Sequence, residues 1–100
     1  MDYRSEFPDF DRILDIDLIA AHGLADSSWH NDSVPSFAKI VGDHRIVLWA
    51  NYADPALREV PDTHDFVVSV EEERGSGDEI AYHSAATLAD ALAIVDTLTI

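Results

Sequence analysis

Residues 36–52 read SFAKIVGDHRIVLWANY, and the fold turns on how that stretch divides. Gly42-Asp43 interrupts it with a pair suited to a tight reversal, so Ser36–Val41 and His44–Tyr52 are expected to form one hairpin. Ile46-Val47-Leu48-Trp49 is continuously apolar, the pattern of a central strand buried on both faces or capped by loops on one. Further along, Phe66–Glu73 alternates: Phe66, Val68 and Val70 share one side, Val67, Ser69 and Glu71 the other. Arg74–Asp78 supplies a turn, and Glu79–His83 returns as its partner strand. Between the hairpins, Ala53–Asp65 contains Pro55 and Pro61 among several aspartates and reads as a connection, with one helical turn over Pro55–Glu59.

Helical periodicity flanks the strands. Phe10, Ile13, Leu14, Leu18 and Ala21 recur at helix spacing, which predicts a first helix over Asp9–His22 with Pro8 at its start and Gly23 as its stop. Its outer face would carry acid. Leu88, Ala91, Leu92, Val95 and Leu98 predict a closing helix over Ala85–Leu98, with Ser84 as N-cap. The order α-β-β-β-β-α then describes one small α+β domain over residues 1–100, a four-stranded antiparallel sheet with two helices on one face. Its second face is only partly apolar and is free to meet water or a partner.

Charge bounds the function. The 100 residues carry six Lys and Arg against 20 Asp and Glu, a formal charge of −14, while 47% of residues are hydrophobic. The apolar fraction is that of a folded domain rather than a disordered segment. A single lysine, Lys39, leaves little with which to neutralise phosphates, so direct nucleic-acid binding and anionic membranes are excluded as first choices. Cysteine is absent, which removes disulfides, thiolate nucleophiles and Cys-based zinc sites. No secretory leader or membrane span is legible, so a cytoplasmic protein is expected.

No catalytic constellation stands out. The chain has no G-x-S-x-G elbow and no phosphate loop, and Arg74-Gly75-Ser76-Gly77 is too short and too acid-flanked to cradle phosphate. Neither an enzyme nor a cofactor is expected. His22, His30, His44, His64 and His83 are scattered without ligand spacing. His30 and Asp32, within Trp29-His30-Asn31-Asp32, would share a side of an extended segment and could form a hydrogen-bonded or metal-ligating pair, but the segment reads sooner as a structural loop anchored by Trp29 than as a metal site. Asp62-Thr63-His64-Asp65 reads as a hydrophilic loop sooner than a cation site.

The acids themselves carry the sharper expectation. Asp9, Asp11 and Asp15 on the first helix, with Glu71, Glu72, Glu73, Asp78 and Glu79 around the second hairpin, could present carboxylates in place of phosphates to a basic, nucleic-acid-handling protein. Trp29, Trp49 and Tyr52 are the candidate aromatic anchors. A solvated acidic surface, as in a salt-adapted housekeeping domain, would use the same composition. A small ligand- or metal-binding domain centred on His30-Asn31-Asp32 is the alternative from another class.

The segment W-H-N-D-x-x-P-S-F over Trp29–Phe37, followed by Tyr52-Ala53-Asp54-Pro55, resembles small proteins encoded in bacterial and phage genomes. The resemblance runs from the first helix onward and implies a shared small α+β fold, not a mechanism. In size and charge the chain also looks like phage-encoded inhibitors of bacterial defence, including DNA-mimicking anti-CRISPR proteins. That likeness implies a partner among defence nucleases or their guide complexes.

Overall fold

The computed structural model describes residues 3–58, 64–72 and 79–98. It is an α+β fold built on an antiparallel sheet, with five strands where four are expected. They are β1 (Ala25–Asp26), β2 (Ser36–Val41), β3 (His44–Ala50), β4 (Phe66–Glu72) and β5 (Glu79–Ala85), lying side by side in chain order. The extra strand falls inside the expected polar loop. After Gly23 (φ 83) turns the chain, Ala25 and Asp26 pair with Ala38 and Phe37. The β2–β3 hairpin is as expected: Val41 pairs with His44 around two residues, and Gly42 takes a φ of 61 at the first central position, where a type II′ turn needs it.

The helices are α1 (Tyr3–Glu6), α2 (Ile16–Ala21) and α3 (Leu88–Leu98), so the predicted helix over 9–22 is corrected to a short α2 behind an irregular arm. Long-range hydrogen bonds override helical periodicity there. Asp11 accepts from the amides of Ala53 (2.7 Å) and Asp54 (2.8 Å), and the Arg12 guanidinium donates to the Asn51 carbonyl and to Asp65 Oδ1, each at 2.7 Å. The Leu14 amide donates to the Tyr3 hydroxyl, and Asp15, in an extended conformation, caps α2 through the Leu18 amide. The apolar stripe is split in consequence: Leu14 and Ile19 are buried while Ile13 is 88% exposed.

Two further boundaries move. Ser84 belongs to β5, and α3 starts three residues later than expected, with the Thr87 hydroxyl accepting from the Asp90 amide. The expected turn over Pro55–Glu59 is a 3-10 turn at Pro55–Leu57; Glu59 lies outside the described residues.

All three helices cover the same side of the sheet. Their buried residues Tyr3, Ile19, Ala91, Leu92 and Val95 join one core with Phe37, Ile46, Leu48, Ala50, Phe66, Val68 and Ala85. His22 at the end of α2 meets Asp96 of α3 at 2.7 Å, tying two covering elements together. Among the described residues no helix is long and apolar enough to cross a membrane.

The arm is fastened at Asp65. Its Oδ1 accepts from Arg12 Nη2 (2.7 Å) and Arg58 Nη2 (2.6 Å), and the Arg12 guanidinium lies 4.9 Å from the centre of the Phe66 ring. Burial alone would raise the Asp65 carboxyl, but the hydrogen bonds from Arg58 and Arg12 outweigh it and hold the group below its ordinary 3.8. At Asp11, too, burial is outweighed, by the Asp54 and Ala53 amides, and the group is lowered. A carboxyl lowered by folding stabilises the native state above its unfolded pKa, and that stability disappears as pH falls through the folded value. Asp65→Asn is therefore expected to lower stability by about 1–2 kcal/mol at pH 7, a figure kept small because the pair is partly solvated. In urea titrations run from pH 7 to pH 2, the variant's deficit should shrink below about pH 4. An unchanged deficit at pH 2 contradicts the assignment.

Candidate functional site

With the helices on one side, the other side of the sheet is exposed only in part: Ser36, Val47 and Ser69 on it are buried, whereas Ile40, Glu79, Tyr82 and Ser84 reach solvent. Alternation along the strands and the observed register arrange it in three rows across β2, β3, β4 and β5. The first is Ile40, Arg45, Glu71 and Glu79; the second Ala38, Val47, Ser69 and Tyr82; the third Ser36, Trp49, Val67 and Ser84. Tyr82 is 63% exposed and Ile40 56%. Ile80 is also exposed and sits at the bulge in the β4–β5 pairing.

A chain of polar contacts stiffens the middle of this face. The Trp49 indole reaches diagonally from β3 to β4, where its Nε1–H donates to Ser69 Oγ at 3.0 Å. The Ser69 hydroxyl donates in turn to Glu71 Oε2 at 3.3 Å, and Arg45 Nη1 stands 3.7 Å from Glu71 Oε1. Ser69 is fully buried, so its hydroxyl depends on these partners. The result is a face with a closed centre at Val47 and Ser69 and exposed apolar residues at its two sides, Ile40 on β2 and Tyr82 on β5, its first row carrying Arg45, Glu71 and Glu79.

The predicted acids separate into two groups. Glu71, Glu72 and Glu79 collect with Asp43 at the end of the sheet that holds the β2–β3 turn. Asp9 and Asp11 lie at the other end, about 20 Å away for a seven-residue strand. There they face Tyr52: burial raises its hydroxyl pKa, and the charges of Asp9 and Asp11 add to that rise. Both Asp11 oxygens are committed to backbone amides, and Asp15 is committed to the α2 cap. Asp11 and Asp15 thus hold the arm in place, and Asp9 and Asp11 lie at the opposite end of the sheet from the hairpin acids. Glu73 and Asp78 lie outside the described residues, as does Asp62.

The aromatic candidates separate as well. Trp49 is on the partly exposed face. Tyr52 packs against Phe10 with ring centres 5.2 Å apart, and the exposed Trp29 stacks beside His30 at 4.3 Å. His30 is tied to the arm, since Glu6 Oε1 lies 3.1 Å from both its backbone nitrogen and its Nδ1. Asn31 is exposed, and the Asp32 amide closes a turn onto the Trp29 carbonyl. No group of three or more His, Cys, Asp or Glu side chains able to hold a metal occurs among the described residues. Sequence reasoning missed Ile40, Arg45, Ile80 and Tyr82. Their signal was present as the outward half of each strand's alternation.

No protein-family model, curated protein or solved structure matches the chain.

The Trp49–Ser69 contact gives a direct test of how the face is built. Trp49→Phe and Ser69→Ala are each expected to lower stability by about 1 kcal/mol, and the double variant should cost clearly less than their sum. A strictly additive cycle in urea denaturation contradicts the contact.

Proposed function

We propose that the protein is an interaction domain whose partly exposed sheet face binds, and thereby inhibits, a basic nucleic-acid-handling protein. The observation that carries this reading is the placement, on one partly exposed sheet face, of the exposed apolar residues Ile40 and Tyr82 with the carboxylates Glu71 and Glu79. Ile40 and Tyr82 offer surface whose burial favours association, while Glu71 and Glu79 select the sign of the partner. The formal charge of −14 adds long-range steering toward a groove lined by Lys and Arg. In its concrete form the protein is a phage-type inhibitor of a defence nuclease or guide complex, occupying the groove that would otherwise hold phosphates.

A solvated acidic surface would leave the apolar residues of this face without a role. The two readings also differ in what a neutral substitution does. Bulk charge is indifferent to Tyr82→Ala and Ile40→Ser, whereas a docking face is not.

The test is an affinity capture from bacterial lysate on immobilised wild-type chain and on the Ile40→Ser/Tyr82→Ala variant. A basic nucleic-acid-handling protein should be retained by the wild type at about 50 mM salt and released near 0.5 M, where screening shortens to a few ångströms. The double variant, with its charge intact, should retain at least about tenfold less, the equivalent of roughly 1.4 kcal/mol. Equal retention by both chains, or retention indifferent to salt, contradicts the proposal.

A further inference from the structure

The two edges of the sheet are unlike. β1 is two residues long, and beyond it the chain stays on β2 only through Ser36: the Ser27 amide donates to the Ser36 carbonyl at 2.9 Å, and the Ser28 hydroxyl bonds the Ser36 backbone. β5 runs for seven residues, six of them exposed, and pairs only with β4 among the described residues. A long edge strand of this kind presents a row of unpaired N–H and C=O groups.

Proteins protect such edges with Lys, Pro, bulges or covering loops. Here the bulge at Val70/Glu71 guards only the Glu79 end, whereas Ala81–Ala85 pairs in unbroken register with Phe66–Val70. This stretch contains no Lys and no Pro. Among the described residues it is an unpaired, regular template.

We propose that β5 accepts an extended segment of the basic partner as a sixth, antiparallel strand. The inference rests on the docking role proposed above and specifies its geometry. Adding a strand continues the rows of that face. The incoming residue beside Tyr82 extends the row Ala38, Val47, Ser69, Tyr82 and is apolar. The incoming residue beside Glu79 extends Ile40, Arg45, Glu71, Glu79 and is Lys or Arg, because two carboxylates already face each other across β4 and β5 there. Main-chain hydrogen bonds supply affinity, and this alternation supplies specificity.

Charge decides the occupant. A second copy could lay its own β5 alongside, but it would bring another chain of −14, with its own Glu71, Glu72 and Glu79, against the first. A basic segment relieves the like-charge contact that a second copy would multiply.

The experiment uses the isotope-labelled full chain with two synthetic probes of equal charge. One, the Lys-Val peptide, is about ten residues long and repeats Val-Thr-Lys-Thr, so that Val and Lys alternate along one face; the other, the Lys-Pro peptide, replaces each Thr by Pro, which removes the alternating N–H donors. The Lys-Val peptide is expected to slow amide exchange in Ala81–Ala85 at least about tenfold, and the Lys-Pro peptide to leave those amides unchanged. Tyr82→Lys, at an exposed position, should weaken Lys-Val binding at least about tenfold with its melting temperature little altered. Binding of both peptides without β5 protection overturns strand addition and leaves a basic partner on the sheet face standing. Binding of neither overturns the basic-partner reading as well. Protection of β5 that grows with chain concentration in the absence of peptide assigns the edge to a second copy and overturns the proposal.

Discussion

Asp65 holds two guanidiniums on one carboxylate oxygen, and the placement of the N-terminal arm depends on that contact. Arg12 comes from the N-terminal arm and Arg58 is the residue that follows the 3-10 turn after β3. Their meeting point immediately precedes β4. Because Arg12 also bonds the Asn51 carbonyl and lies over Phe66, the arm cannot coil into the helix its apolar spacing would allow. It runs across the end of the sheet instead and delivers Tyr3, Leu14 and Ile19 to the side that α3 already covers. The three helices therefore share one side, and the other is left partly exposed at Ile40, Glu79 and Tyr82.

That asymmetry gives the acidic composition a division of labour. Asp11, Asp15 and Asp65 are consumed by amides, a helix cap and guanidiniums, so they act as fasteners. Glu71, Glu72 and Glu79 stand at the far end of the sheet, two of them on its partly exposed face. A net charge computed from the sequence treats these groups alike. The fold separates carboxylates engaged within the molecule, Glu71 with Ser69 and Arg45 among them, from the exposed Glu72 and Glu79.

What the sequence disclosed follows the range of the forces involved. The β2–β3 hairpin was legible because Gly42-Asp43 and the flanking apolar runs are local signals, and β4 because its alternation is local as well. The arm was not. Phe10, Ile13, Leu14 and Leu18 have helical spacing, and the contacts that override it join Arg12 to Asn51 and Asp65, roughly 40 and 50 residues away. β1 was missed because two residues carry no periodicity, and its pairing is set by where Gly23 aims the chain. The acids of the second hairpin were identified from composition, but their neighbours Ile40 and Tyr82 become a surface only once four strands are placed in register.

The central claim is that recognition resides in the partly exposed sheet face and not in bulk acidity. The most direct measurement is a backbone chemical-shift map of the chain titrated with a basic nucleic-acid-handling protein of the kind proposed. The account predicts perturbations centred on Ile40, Arg45, Glu71 and Tyr82 and extending along β5. Perturbations centred on Asp9–Asp17 and sparing β2–β5 would contradict it.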